Sequence, residues 1–84
     1  MTRLWPQGTP ITVACDDAGE PQRFVWQGER HSVAAVVGRW RLDMEWWVAP
    51  VRRDYYKLST EGGLLVEIYH DLAGGQWYLQ RLYD

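Results

Sequence analysis

The sequence predicts an all-β fold, a six-stranded antiparallel meander that curls into a twisted sheet or a half-open barrel. Glycine and proline recur at short intervals along the 84 residues, and the stretches between them are rich in β-branched and aromatic residues, which favour strands. Several of these stretches also alternate apolar and polar residues. No twelve-residue stretch keeps the 3.6-residue period of a helix without a glycine or proline interrupting it, so a long helix is not expected.

Six strands are expected in chain order, joined by mostly tight turns. Pro10 opens the first strand, and residues 16–21 end it with Asp, Gly and Pro, which supply side-chain caps, positive φ and a fixed φ. Residues 27–29 form the next turn, and the Gly62-Gly63 pair is typical of a hairpin. The expected strands cover residues 10–15, 22–27, 30–42, 53–60, 63–71 and 75–83.

The third strand is the longest, and its pattern changes part-way along. Its apolar even positions are Ala34, Val36, Trp40 and Leu42, whereas its odd positions change from Val33, Ala35 and Val37 to Arg39 and Arg41. Gly38 falls at the change, where a bulge or a sharp bend is expected. Residues 1–9 predict an N-terminal arm outside the sheet, which leaves residues 10–84 as a single β domain.

The expected core is aromatic-rich, because a small domain has to bury its surface efficiently. The chain has six Trp, five Tyr and one Phe. The side chains expected to be mostly buried are Val13, Phe24, Val36, Trp40, Tyr56, Leu58, Val66, Ile68 and Trp77.

Composition excludes several classes of protein. The net charge is only −2, so charge alone does not predict a nucleic-acid binder. No apolar run is long enough for a transmembrane helix, and one Cys with two His predicts neither a disulfide framework nor a zinc site. We therefore expect a soluble, cytoplasmic domain with no cofactor and no membrane partner.

Catalytic signals in the sequence are weak. His70 and Asp71 are neighbours in a predicted strand, so their side chains point to opposite faces and do not pair. Cys15 fits a small apolar position in a strand better than a nucleophile. The Gly62-Gly63 and Gly74-Gly75 pairs lack the strand–loop–helix setting of a phosphate-binding loop. The sequence therefore predicts that the protein is not an enzyme.

The middle of the chain is the candidate contact region. Between Arg30 and Lys57 there are six basic and three acidic residues, which gives this segment a charge of +3, and aromatic residues are interleaved with them. Such a pattern suits a protein interface or single-stranded nucleic acid, where rings stack on bases and arginines pair with phosphates. The alternative is a core of rings beside a solvated face of arginines. The candidate contact residues are Arg39, Arg41, Trp46, Trp47, Arg52, Arg53, Tyr55 and Lys57.

The adjacent pair Trp46-Trp47 stands out within this region. Neighbouring residues of an extended segment point to opposite faces, so one ring is expected at the surface, where it would anchor a partner. A helical or irregular connection that turns both rings inward is the other interpretation.

The order of residues resembles a small bacterial domain family of unknown function. The segments that carry the likeness are Pro10-Ile11-Thr12-Val13, Gly19-Glu20-Pro21, Phe24-Val25-Trp26-Gln27-Gly28, Trp40-Arg41, Trp46-Trp47, Arg53-Asp54-Tyr55-Tyr56, residues 65–72 and residues 77–84. The same pattern is similar to the carboxy-terminal tail of some Y-family DNA polymerase homologues from damage-induced mutagenesis cassettes. The resemblance implies a setting in translesion synthesis or DNA repair, and it assigns no catalytic or binding residue.

These observations predict a non-enzymatic protein-interaction module associated with DNA repair. A domain that binds single-stranded nucleic acid with the same residues is the alternative, and the two differ in how steeply affinity falls with salt. We also expect a homodimer, or a monomer that uses the same surface for a polymerase-linked partner, because the long third strand can extend past its neighbours. The competing view is that the basic residues protect that strand edge and keep the chain monomeric.

Overall fold

The computed structural model describes residues 2–45 and 50–83, and every regular element within them is a β-strand. The strands are β1 (Arg3–Cys15), β2 (Pro21–Trp26), β3 (Glu29–Met44), β4 (Val51–Thr60), β5 (Leu65–Asp71) and β6 (Trp77–Tyr83). All neighbouring pairs are antiparallel. The predicted all-β class and the six-stranded meander are therefore confirmed.

The sheet closes in a ring, because β1 pairs with β6 as well as with β2. Two strands are long enough to change partners along their length. The first part of β1 lies along β6 as far as Ile11, and from Thr12 it lies along β2. In the same way, β3 pairs with β2 up to Ser32 and with β4 from Val33 onward.

The amino-terminal residues belong to the sheet, so the prediction of an arm over residues 1–9 is wrong for the residues from Arg3 onward. Arg3 pairs with Leu82 of β6. The register then shifts, so that residues 5–8 together stand opposite the single residue Gln80. This large bulge explains the error, because a bulged strand loses the alternation that marks a strand in the sequence.

The core lies on the inner face of the ring. Five of the predicted core residues are buried there: Phe24, Tyr56, Leu58, Val66 and Ile68. Three more pack against this cluster and are partly buried: Val13, Val36 and Trp77. The prediction missed Trp26, Leu79 and Leu82, which complete the buried cluster.

A bulge in β3 reverses which residues face the core. Val36 pairs with Leu58 and Gly38 pairs with Lys57, which leaves Val37 without a partner on β4. One extra residue exchanges the two faces of everything that follows. The bulge expected at Gly38 is confirmed. Trp40 consequently lies on the outer face and is 44% exposed, so its prediction as a core residue is wrong.

Candidate interaction surface

The far part of β3 runs on along β4 beyond the end of its pairing with β2. Residues 39–44 of β3 pair with residues 51–56 of β4, and we call these two segments the ribbon. The pairing of β2 with β3 stops at Ser32. In the described chain, no strand therefore pairs with the other side of β3 from residue 34 to residue 44, and we call that side the free edge. Unpaired backbone N–H and C=O groups are what a partner strand needs.

The inner face of the ribbon carries alternating charges. Arg41 donates hydrogen bonds from Nε and Nη2 to Oδ1 and Oδ2 of Asp54, at 2.6 and 3.1 Å. Beside this pair, Nε of Arg52 lies 3.6 Å from Oδ1 of Asp43. These four residues occupy opposed positions on the two strands, so each charge faces one of opposite sign.

Arg39 holds the position next to the core. Its guanidinium lies 5.1 Å from the ring centre of Tyr56, and Nη2 donates a 3.4 Å hydrogen bond to the tyrosine hydroxyl. Nη1 also lies 3.4 Å from Oε1 of Glu20, in the turn between β1 and β2. All three arginines of the inner face thus have a carboxylate partner, and the region is less basic than the sequence predicts.

The Arg41–Asp54 pair should make the folding stability of the domain depend on pH in the acidic range. The two hydrogen bonds from Arg41 lower the pKa of the Asp54 carboxyl from its ordinary value of 3.8. The stabilisation from the pair is therefore present above that value and is lost as the pH falls through the lowered pKa. The thermal midpoint of the wild-type domain should fall as the pH drops below about 4, and this fall should be smaller in Asp54→Asn. Arg41→Gln should have the same effect, and a wild-type acid response in both variants would contradict the pairing.

The outer face is built on a row of four aromatic rings, one from each of β3, β4, β5 and β6. Trp40 stacks on Tyr55, with 5.4 Å between ring centres and planes 2° apart. Tyr55 lies 5.2 Å from Tyr69, which lies 5.0 Å from Tyr78. Arg53 lies across the row, 4.5 Å from the centre of Tyr69, and its Nη1 donates a hydrogen bond to the hydroxyl of Tyr55.

Exposure varies along this aromatic row. Tyr69 is buried, and its hydroxyl donates a 3.1 Å hydrogen bond to the backbone oxygen of Gln7 in the β1 bulge. Burial raises the pKa of this tyrosine. The Trp40 end is open, and on the same face Met44 is 42% exposed. Trp40 and Met44 therefore give the ribbon exposed apolar surface.

The predicted contact residues are divided between the two faces. Arg39, Arg41 and Arg52 lie on the inner face. On the outer face lie Arg53, Tyr55 and Lys57, and the Lys57 ammonium is 4.6 Å from the ring centre of Tyr83. The predictions for Trp46 and Trp47 fall outside the described residues.

Sequence reasoning missed several parts of this surface. Leu42 and Met44 extend the apolar strip beyond Trp40, whereas Asp43 and Asp54 neutralise the arginines. The signal that could have found them is the strict alternation of charged and apolar residues from position 39 to position 44, which indicates a strand with one charged and one apolar face.

The groups considered for catalysis have other environments. The His70 ring stacks on Trp77 at 4.3 Å between ring centres. Partial burial and the nearby Asp16 raise the pKa of the Cys15 thiol, which disfavours the reactive thiolate. Among residues 2–45 and 50–83, no three metal-ligating side chains come together. Within the same residues, there is no helix of the length and apolarity needed to cross a membrane.

Residues 7–84 match the family model of a domain of unknown function, DUF6504. The chain belongs to this family. The search of curated proteins gave no significant match, and the search of solved structures gave none. The DUF6504 match covers all six strands except the first residues of β1, so the ribbon and the aromatic row both lie inside the family domain.

Proposed function

We propose that this domain is a non-enzymatic protein-interaction module whose contact surface is the ribbon. The observation that carries the proposal is the free edge of β3, together with the exposed Trp40 beside it. An open strand edge binds a partner through backbone hydrogen bonds, and alternate side chains then provide specificity. A partly exposed Trp supplies a large contact area at low entropic cost, which is why Trp is frequent among the residues that dominate binding.

The charges of the ribbon favour a protein partner over a nucleic acid. Arg39, Arg41 and Arg52 each lie beside a carboxylate, which a phosphate would have to displace. Nucleic-acid affinity comes largely from cations that neutralise phosphates, so paired arginines contribute less to it. Single-stranded nucleic acid stays the second candidate because Trp40 stacks flat on Tyr55 with Arg53 on the same face, an arrangement that could hold a base.

We further propose that the partner belongs to DNA repair, and that the module acts in the cytoplasm with a translesion polymerase. The support is the resemblance of the sequence pattern to the tails of Y-family polymerase homologues. The family match by itself assigns no activity.

The test uses the purified full chain and a purified Y-family polymerase homologue from the same organism. We expect binding by isothermal titration calorimetry, and a loss of about 30-fold or more in Trp40→Ala, the size expected for a dominant interface residue. Val25→Ala is the control, because Val25 is an exposed apolar residue on β2, away from the ribbon.

A parallel titration with a fluorescent single-stranded oligonucleotide separates the two candidates. Affinity for the polymerase should change little between about 50 and 200 mM salt, whereas roughly five phosphate contacts would weaken oligonucleotide binding about 100-fold over that range. Salt-sensitive binding of the oligonucleotide without binding of the polymerase would replace the proposed function with the second candidate. Binding of neither would refute both.

A further inference from the structure

The free edge carries a self-complementary sequence. From Arg39 to Glu45 the chain reads Arg-Trp-Arg-Leu-Asp-Met-Glu. The odd positions hold two cations followed by two anions, and the even positions hold Trp40, Leu42 and Met44. When this segment is reversed about Leu42, each charge falls on a charge of opposite sign and each apolar residue falls on an apolar one.

We propose that a second copy of this chain pairs antiparallel with the free edge of β3, with the two Leu42 residues opposite each other on the two-fold axis. The inference deepens the proposed function, on which it rests, by naming a partner for the same ribbon. Arg39 then faces Glu45 of the second copy, Arg41 faces Asp43, and Trp40 faces Met44. Each of these three pairs occurs twice, as two-fold symmetry requires.

The charges select this register over its neighbours. Residues directly opposite each other in an antiparallel pair share a face, so the axis has to pass through a residue. An axis at Trp40 would place Arg39 against Arg41 of the second copy, twice. Axes at Arg41 and at Asp43 would each place a residue against its own like charge. Of the axes from position 40 to position 43, only the one at Leu42 opposes unlike charges throughout.

The contacts within one chain already prepare the inner face for this pairing. Asp54 pairs with Arg41 and Asp43 pairs with Arg52, on two rungs of the ribbon separated by the Leu42–Arg53 rung. Across the four strands of two joined ribbons, one row reads Asp54, Arg41, then Asp43 and Arg52 of the second copy, so the signs alternate along the whole row. Arg41 has donors to spare for the second carboxylate, since Asp54 takes only Nε and Nη2.

The outer face gains a continuous apolar row from the same pairing. Tyr55 and Trp40 of one chain meet Met44 and Val51 of the second copy, because Val51 pairs with Met44 and Tyr55 pairs with Trp40. Trp40 and Met44 are the two most exposed side chains of this face of the ribbon, and a methionine sulfur packs favourably against an aromatic ring. In this dimer the second copy occupies the free edge, so a polymerase partner would bind the outer face of the joined ribbons, one surface built from both chains.

Cysteine cross-linking tests the register directly. In a Cys15→Ser background, Leu42→Cys should form a disulfide-linked dimer under mild oxidation, because opposed Cα atoms about 4.5–5.5 Å apart are within disulfide range. Trp40→Cys and Met44→Cys should each stay monomeric on a non-reducing gel, and a mixture of the two should cross-link. Equal cross-linking of all three variants alone, or none in Leu42→Cys, would overturn the proposal.

Charge reversal tests the same pairing without a cross-link. Sedimentation equilibrium of the wild-type chain at micromolar concentration should show a dimer. Arg39→Glu or Glu45→Arg alone should weaken dimerisation at least tenfold, and the two changes in one chain should restore it. A wild-type monomer, or no restoration, would refute the proposal. If a charge variant does not fold, the cross-linking result decides whether the dimer forms. Polymerase binding is measured separately and shows whether the proposed function stands without the dimer.

Discussion

Phe24→Ala should lower the free energy of unfolding by about 3–5 kcal/mol, the usual cost of deleting a buried phenylalanine ring. Phe24 is 1% exposed and lies in the buried cluster on the inner face. Its ring also stacks on His31, with 5.0 Å between the ring centres. Domains of this kind have about 5–15 kcal/mol of stability, so the loss is a large share of the total. Urea denaturation followed by tryptophan fluorescence measures it.

Trp40→Ala is the matched comparison, because it removes a larger ring from the opposite face. The ring is 44% exposed and, among residues 2–45 and 50–83, stacks on Tyr55 alone, so we expect a loss of about 1 kcal/mol. The order of the two effects is therefore the reverse of what ring size alone predicts. A loss in Trp40→Ala as large as that in Phe24→Ala would contradict the placement of Trp40 on the outer face.

Gly8→Ala should destabilise the domain by about 2–5 kcal/mol, from two separate causes. Gly8 has a φ of 76°, which L-residues adopt only at a cost. A Cβ at this position would also lie 2.7 Å from Cβ of Tyr78 and 3.0 Å from the hydroxyl of Tyr69. The substitution would push the β1 bulge away from the aromatic row, and the hydrogen bond from Tyr69 to Gln7 would be lost with it.

Gly28→Ala separates the two causes. Gly28 has nearly the same backbone conformation, with a φ of 77°, but nothing lies within 4 Å of the added Cβ. Only the conformational cost of about 1–2 kcal/mol should therefore remain. Comparing the thermal and urea midpoints of the two variants gives the cost of the contact alone. Equal losses would show that Gly8 does not pack against Tyr69 and Tyr78.

The number of strands was predictable because turn chemistry is local. The Asp16–Pro21 turn and the Gly62-Gly63 turn both lie where the sequence places them. Asp16 shows why such turns can be predicted from sequence, because its carboxylate accepts hydrogen bonds from the nearby backbone N–H groups of Ala18 and Glu20. Everything that this turn needs is within five residues of sequence.

The faces of the strands were less predictable, because they depend on bulges. The glycine at position 38 indicates that the strand is irregular there. It does not indicate whether the irregularity adds a residue or bends the strand. An added residue reverses the faces and a bend does not. The exposure of Trp40 depends on this one distinction. The bulge in β1 likewise interrupts the alternation of apolar and polar residues, so residues 3–9 were not predicted to belong to a strand.

The candidate surface was predicted as a region but not as an arrangement. The sequence identifies a segment rich in arginine and aromatic residues, and the ribbon lies within it. Which carboxylate each arginine meets depends on the register between β3 and β4, and the Glu20 contact depends on a turn far away in sequence. A net charge counted along the segment therefore overstates how basic the folded surface is.

The closure of the ring through β1 and β6 determines how the domain can fold. The hairpins from β2 to β6 join strands that follow one another, so each can form with a short loop to close. The β1–β6 pairing instead brings Arg3 to Leu82, so its entropic cost is that of closing a loop of nearly the whole chain. Contacts so distant in sequence slow folding, and until they form, both β1 and β6 present bare edges to other chains. Refolding should therefore be limited by this last pairing, and aggregation should compete with it most strongly at high protein concentration.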